Sequence, residues 1–380
     1  MFTFNSDPPS VMHIDVNSCF ATIEQQANPL LRGKPIAVAA YNSPGGCILA
    51  PSREAKLFGV KTGMRVRDGM ALCPNLLVLT GDPQKYRYVH KKMHAIMADY
   101  TSRFSPKSID EFVLHFPTDL SSSLPMLAQE IKARIRSEIG EWISVSVGIS
   151  VNRFLAKTAA GLKKPDGLEL ITSKNYREVY SNLTLMDLCG INTRNQARLN
   201  RAGIYTVLQM YEASVWDLRV AFESVLADYW FARLRGWEVD STDFGRKSFG
   251  NSYSLPKSSG TKEELLPILQ KLTEKTTARM REQGCETQGI SLWMSFRGGG
   301  GWHRSKKLHR SLFSSVDIYQ EIVAILGECP TLKPVHTIAV SCFHLSQEES
   351  VQLEVFDDVV KKRALSSSID AVNDRYGKFV

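Results

Sequence analysis

Ser108-Ile109-Asp110-Glu111-Phe112-Val113-Leu114 sets two adjacent acids at the head of an apolar run, which His115-Phe116-Pro117 brings to an end. The run reads as a buried strand. Side chains alternate faces along a strand, so Asp110 and Glu111 cannot both enter a core. A buried carboxylate without a partner is too costly to keep, so the pair must meet water, cations or a metal. Taken alone, the stretch fits two solvated acids at a strand end as well as it fits a site.

Outward from it, a third acid stands in a similar place. Val11-Met12-His13-Ile14-Asp15-Val16 is a short apolar run with Asp15 near its end, and a helix is predicted over 19–26. Breakers follow at Asn28-Pro29 and Arg32-Gly33-Lys34-Pro35. Strands over 36–39 and 47–50, helices over 51–58 and 66–72 and a strand over 76–79 make 19–81 a small, loop-rich insert. Tyr86, Val89, Met93, Ile96, Met97 and Tyr100 recur at helical spacing and predict a helix over 84–103. A helix over 124–139, a strand over 143–149 and a helix over 152–162 come next. They end in the basic turn Lys163-Lys164-Pro165-Asp166-Gly167. This order predicts one mixed sheet that brings Asp15 and Asp110 together across 95 residues of sequence.

From Leu183 the pattern turns to short helices. Leu188-Cys189-Gly190-Ile191-Asn192 resembles a helix-hairpin-helix whose turn, at Gly190 and Asn192, can offer backbone N–H groups to a phosphate. A purely structural helical hairpin is the other reading. A polar connector leads to a strand over 247–255, a helix over 261–283 and strands over 287–297 and 303–311. A helix over 315–328 and a strand over 335–345 follow. That β-α-β-β-α-β order is the ferredoxin-like arrangement. Residues 246–345 hold 14 Lys/Arg against 8 Asp/Glu, six of the chain's eight net positive charges. Arg297, Arg304, Lys306, Lys307 and Arg310 gather near strand ends. They suit a face that tracks a nucleic-acid backbone without reading its sequence.

At 380 residues, 43% apolar and 23% charged, the chain has the make-up of a globular protein with two to four domains. The net charge of +8 suits a polyanionic partner. No apolar run approaches the ~20 residues of a membrane helix, and the N-terminus lacks a signal-peptide pattern. Seven scattered cysteines without a C-x-x-C pair fit neither zinc ligation nor a disulfide framework, and suit a reducing cytosol.

Three carboxylates converging beside a basic turn are what a two-metal site requires. One hard cation activates the attacking oxygen and the other neutralises the leaving phosphate. Asp15 and Asp110 can bridge both ions, Glu111 can favour the nucleophile side, and the Val16 carbonyl can complete the shell. Such catalysis by positioning and charge neutralisation suits phosphoryl transfer.

The chain resembles the Y-family translesion DNA polymerases of the bacterial DinB/UmuC type. Asp15-Val-Asn-Ser-Cys-Phe20, Asn28-Pro-Leu-Leu-Arg-Gly-Lys-Pro35 and Glu54-Ala-Lys-Leu-Phe-Gly-Val60 carry the likeness. Ser108-Ile-Asp-Glu111, Val147-Gly-Ile-Ser-Val-Asn-Arg-Phe-Leu-Ala-Lys157 and Lys164-Pro-Asp-Gly167 continue it in family order. It spans about residues 11–345 and implies an α+β multidomain fold, a right-hand polymerase. The ferredoxin-like palm would cover 1–18 and 82–171, with small fingers over 19–81 and a helix-hairpin-helix thumb over 172–238. A linker over 239–246 would lead to a β-α-β-β-α-β little finger over 247–345 and a tail over 346–380.

The resemblance further implies catalysis by Asp15, Asp110 and Glu111 with two Mg²⁺ ions, acting on primer-template DNA and deoxynucleoside triphosphates. Phe20 falls where the family keeps an aromatic steric gate against a 2′-hydroxyl. Arg53, Lys56 and Lys164 fall at triphosphate-holding positions, a task suited to point charges and a guanidinium fork. Leu49 and Cys47 fall over the templating base. The chain departs from the pattern with Ala50 and Arg53 where many members have Thr and Tyr, and with Asn192 where a second glycine is common.

Near the end, Gln352-Leu353-Glu354-Val355-Phe356 resembles the bacterial sliding-clamp peptide, with Val355 in place of Leu. Gln352, Leu353, Val355 and Phe356 would anchor it in a groove on the clamp, and an exposed terminal strand is the other reading. A short helix is predicted over 364–376. The expected whole is a monomeric, cytoplasmic bacterial polymerase of low fidelity and poor processivity, without proofreading, that copies past damaged DNA. The alternative is a catalytically silent relative serving as a DNA- and clamp-binding adaptor, which would not need the three acids.

Overall fold

The apolar run containing Asp15 forms the strand Val11–Val16, the middle of a five-stranded sheet. Its order is Phe104–Pro106, Glu111–His115, Val11–Val16, Val145–Ser150, Leu168–Leu170. The computed structural model describes residues 3–241, 245–347 and 359–377. The chain divides into two units, residues 1–242, which hold this sheet, and residues 243–380. The middle strand pairs antiparallel with both neighbours, and the register sets Asp15 directly opposite Glu111.

Alternation then sorts side chains by face. Met12, Ile14, Phe112, Leu114, Val147 and Ile149 share a core with Met93, Ile96, Met97, Ile131 and Ile135 of helices Pro83–Ala98 and Leu124–Glu138. The other face of Val145–Ser150 carries Ser146, Gly148 and Ser150, because helix Arg153–Leu162 packs against it. A Cβ on Gly148 would lie 2.0 Å from the Ala156 carbonyl oxygen and 2.2 Å from the Ala160 nitrogen. Small residues on one face and branched ones on the other are thus a packing requirement.

The helix expected over 84–103 is Pro83–Ala98. Asp82 caps its start by accepting from the Gln84 N–H at 3.0 Å. Beyond Ala98 the backbone is taken over by the sheet edge. The His115 N–H donates to the Arg103 carbonyl at 2.9 Å, and Thr101 Oγ1 donates to the His115 carbonyl at 3.0 Å. Tyr100 keeps its helical spacing but not the helix.

Within 19–81, strands Ile36–Ala39, Ile48–Pro51 and Leu77–Thr80 form a separate sheet with helices Arg53–Leu57 and Val66–Leu72. Its small core holds Ala37, Ile48, Ala55, Val60, Val66 and Leu76. Helix Cys19–Ala27, counted with this insert in the sequence reading, sends Cys19, Ala21 and Ile23 into the core of the five-stranded sheet. After residue 171, short helices pack around Tyr180, Leu199, Met210, Leu218 and Trp230. Gly190 in their turn takes a φ of +102°, which favours glycine.

In the second unit, strands Ser248–Ser259, Cys285–Phe296, Gly301–Leu312 and Val335–Gln347 and helices Lys262–Arg281 and Ser315–Gly327 follow the expected β-α-β-β-α-β order. All strand neighbours are antiparallel, running third, second, fourth, first. A ferredoxin-like sheet sets its first and third strands side by side. This unit shares the element order and pairs its strands differently, which order alone does not fix. Both helices pack on one face, over Ile290, Leu292, Met294, Ile338 and Val340.

A last helix, Val359–Tyr376, begins before the expected 364 and buries none of its residues. Ion pairs hold it: Arg281 with both oxygens of Asp370 at 2.7 Å, Lys362 with Asp317 at 3.0 Å, and Arg363 with Glu286. The peptide 352–356 lies outside the described residues.

Candidate active site and nucleic-acid face

The register that opposes Asp15 and Glu111 puts both carboxylates on one face at the end of the sheet. Asp110 adjoins them in the turn that leads into Glu111–His115. The Ser108 hydroxyl donates to its Oδ1 at 2.6 Å, and its own carbonyl accepts from the Val16 N–H at 3.0 Å. Asp15, Val16, Asp110 and Glu111 therefore meet at one place.

Two ammonium groups hold the carboxylates. Lys164 Nζ lies 2.6 Å from Asp15 Oδ1, and Lys157 Nζ donates to both Glu111 oxygens at 2.6 Å. The Asp15 and Glu111 side chains are only 15% and 19% exposed. Burial raises the Asp15 carboxyl above its ordinary value although Lys164 pulls the other way, and Glu111 and Asp110 raise it further.

His13, two residues before Asp15 and on the same face, is buried, and neither ring nitrogen has a hydrogen-bond partner. Burial, then the charges of Lys157 and Lys164, bring it down to about 3, so the imidazole is neutral. One donor atom each from His13, Asp15 and Glu111 lies within 4.8 Å of the others. Hard oxygen donors, partly buried and with Asp15 raised by burial and by its acidic neighbours, fit a divalent cation.

Lys56 sits in the short helix Arg53–Leu57. Burial and the nearby charges of Lys164 and Arg53 lower it from its ordinary value, with Asp15 acting in the opposite sense. Arg53, Lys56 and Lys164 thus share one positive field. Arg53 itself is turned toward the sheet, its guanidinium donating to Ser144 Oγ, which also accepts from Asn17 Nδ2 at 3.1 Å. Phe20, in the first turn of helix Cys19–Ala27, stacks on Tyr86 with ring centroids 4.3 Å apart. Leu49 and Cys47 are exposed on the insert.

At the helical hairpin, Asn192 caps helix Thr193–Arg201, its Oδ1 accepting from the Asn195 N–H at 2.9 Å. One of the N–H groups that the turn at Gly190 could offer a phosphate is therefore already paired.

In the second unit, alternation separates the predicted cations. Arg304 and Lys306 lie on the helix-covered face, opposite Leu292 and Ile290, and pair with Glu328 at 2.8 Å and Glu321 at 2.6 Å. Lys307 lies on the other face, where Ser291 is opposite both Ser305 and Ser341. Thr337 and Ser254 hydroxyls there are 3.0 Å apart, and Trp293 is 42% exposed. Arg297 is exposed in the adjoining turn.

Sequence reasoning counted charges here and missed the hydroxyl rows, whose period-two spacing in Ser291-x-Trp293-x-Ser295 and Thr337-x-Ala339-x-Ser341 was the available signal. It also missed His13, whose spacing from Asp15 was a signal, and the pairing of Lys157. It missed Tyr86 as the support of Phe20, a contact made only in three dimensions.

The fold is that of a Y-family DNA polymerase. A solved chimera of that family matches with a TM-score of 0.79 over 89% of this chain and 99% of its own, at 23% identity. Residues 14–161, which include Asp15, Asp110 and Glu111, match the impB/mucB/samB family, and residues 246–355 match the C-terminal domain of that family.

The DNA polymerase IV of Pelotomaculum thermopropionicum is 30% identical over 375 residues, covering 97% of this chain and 93% of the relative. That of Moorella thermoacetica is 31% identical over 380 residues, covering 98% and 94%. DNA polymerase IV 1 of Bacillus subtilis is 28% identical over 377 residues, covering 97% and 90%. The chain belongs to this family of translesion DNA polymerases. Among the described residues, no helix is long and apolar enough to cross a membrane.

Proposed function

We propose that the chain is a DNA-directed DNA polymerase of low fidelity that extends a primer across damaged template, with Asp15, Asp110 and Glu111 as its catalytic acids. The observation that carries this reading is the in-register opposition of Asp15 and Glu111 with Asp110 beside them. The reaction joins the primer 3′ oxygen to the α-phosphorus of a deoxynucleoside triphosphate and breaks the bond to pyrophosphate. Asp15, the Val16 carbonyl, Asp110 and Glu111 would hold divalent cations, two Mg²⁺ ions by expectation. These would supply charge neutralisation and a more acidic attacking hydroxyl.

The chain's own groups do the positioning. Lys164 and Lys157 neutralise Asp15 and Glu111 in the free chain. Lys164, Lys56 and Arg53 supply the field that draws in and aligns the triphosphate. Phe20 lies under the incoming sugar and excludes a 2′-hydroxyl. The five-stranded sheet is the palm, the insert the fingers, the helical hairpin the thumb and the second unit the little finger. The little finger's hydroxyl-lined face, with Lys307 and Arg297, and the hairpin turn at Gly190 and Asn192 contact the backbone of primer-template DNA. Arg304 and Lys306, on the same strand as Lys307, lie on the opposite, helix-covered face and meet the backbone less directly. Gln352, Leu353, Val355 and Phe356 serve as a sliding-clamp peptide.

Primer extension with Mg²⁺ by the wild type and by Asp110→Ala tests the assignment. Extension by the wild type alone is expected, with a loss on the order of 10³-fold or more in the variant. Equal extension by both, or none by either, rejects it.

A further inference from the structure

We propose that Tyr86 is a second determinant of sugar selection, a positioning residue that acts by denying the Phe20 ring any room to yield. The proposal rests on the reading of Phe20 as the sugar gate. A gate of this kind discriminates by steric clash, and a clash is only as strict as the support behind the ring.

That support is visible. Phe20 and Glu24 lie one turn apart on helix Cys19–Ala27 and so share a face. Tyr86, 5% exposed on helix Pro83–Ala98, lies along both. Its ring stacks on Phe20 at 4.3 Å with 19° between the planes, and its hydroxyl donates to Glu24 Oε1 at 2.9 Å. The Glu24 side chain is 8% exposed, and its other oxygen accepts from Lys85 Nζ at 2.8 Å. Near the hydroxyl end of the Tyr86 ring, a Cβ at Gly81 would lie 3.2 Å from a ring carbon and from the hydroxyl, and 3.3 Å from Val38. Tyr86 is therefore held by Phe20 and Glu24 within the same core as Val38, with little room beside its hydroxyl end. A stacked ring pinned at its far end transmits that rigidity to its partner.

The test is the ratio of kcat/KM for a deoxynucleotide to that for the matching ribonucleotide. It is measured in single-nucleotide primer extension with the full chain for wild type, Phe20→Ala, Tyr86→Leu, Tyr86→Phe and the double variant Phe20→Ala/Tyr86→Leu. Both substrates are read on the same enzyme, so a reduced folded fraction leaves the ratio unchanged. Tyr86→Leu is expected to lower the ratio about tenfold, chiefly by raising ribonucleotide use. Tyr86→Phe, which keeps the ring and loses the Glu24 bond, is expected to lower it less. The double variant is expected to match Phe20→Ala.

A lowered ratio in Phe20→Ala with a wild-type ratio in Tyr86→Leu overturns the proposal and leaves the gate standing. An unchanged ratio in Phe20→Ala rejects the gate, and Tyr86 with it. A further fall in the double variant means that Tyr86 meets the sugar directly, which also overturns it.

Discussion

The two large sheets solve opposite problems with the same alternation of side chains. In the first unit the sheet is packed on both faces. Branched residues meet helices Pro83–Ala98 and Leu124–Glu138, and Gly148 admits helix Arg153–Leu162. Its acids crowd at one strand end, where Asp15, Asp110 and Glu111 meet and burial, with the other two acids, lifts Asp15 above its ordinary value. In the second unit both helices lie on one face, and the other is given over to small hydroxyl residues with cations at its margin. A dense point charge suits the chemistry of one phosphate. A shallow polar surface suits many phosphates held weakly and in any sequence.

Glycine substitutions give the harshest test of that difference. Gly148→Ala drives a Cβ into backbone atoms of a packed helix at 2.0 and 2.2 Å, and neither atom can move without lifting the helix. A loss of about 3 kcal/mol in denaturant unfolding is expected. Gly250→Ala, on the uncovered face of the second sheet, meets chiefly the Ser341 hydroxyl at 2.6 Å, a group that can rotate away. It is expected to cost about 1 kcal/mol or less. Similar losses at the two positions would mean that the second sheet is as tightly covered as the first.

The contrast was partly legible in the chain. The strand carrying Asp15 and the one starting at Glu111 declared themselves by apolar runs, and the second unit by its alternating elements. The acids could be singled out because a carboxylate next to a buried strand needs a reason. What sequence could not supply was register. Whether Asp15 faces Glu111, whether Lys306 or Lys307 lies on the open face, and which strands are neighbours depend on hydrogen bonds between distant segments. The helix predicted to Arg103 failed for the same reason, since Arg103 bonds to His115 rather than within a helix turn. The lysine partners of the acids and the Tyr86 support of Phe20 are likewise products of packing.

The covered sheet should also respond to acid through His115. Its ring is half-buried, and Arg153 Nε donates to its Nε2 at 3.2 Å, so the neutral form is the one bound. Burial first, then Arg153, lowers it from 6.5; Arg103 and Lys107 add to this and Glu238 opposes it. The folded value lies below the unfolded one, so the unfolded chain takes up the proton first. Stability is present above the unfolded value and falls as pH drops through 6.5 toward the folded value, by at most about 1.4 kcal/mol per pH unit. His115→Gln is expected to flatten the dependence of the unfolding midpoint on pH below about 6.5. An unchanged slope would mean that the Arg153 contact does not hold the neutral ring.

The smallest effect discriminates best between the two faces of the second sheet. Lys306 and Lys307 are adjacent, equally charged and both exposed, so charge counting treats them alike. The register does not: Lys306 shares a face with Ile290 and pairs with Glu321, whereas Lys307 lies among the hydroxyl rows. Pairing alone would not keep Lys306 from DNA, because an exposed ion pair is worth about 1 kcal/mol or less and gives way to a phosphate. The decisive variable is direction. If the open face meets the backbone, Lys307→Gln should lower the log–log salt slope of primer-template binding by about 0.9, the release of one counterion. Lys306→Gln should lower it by clearly less, since its ammonium lies on the helix-covered face beside Glu321. Equal changes would place both lysines at the rim of the contact. The hydroxyl rows would then serve to keep the sheet from crowding rather than to meet phosphate.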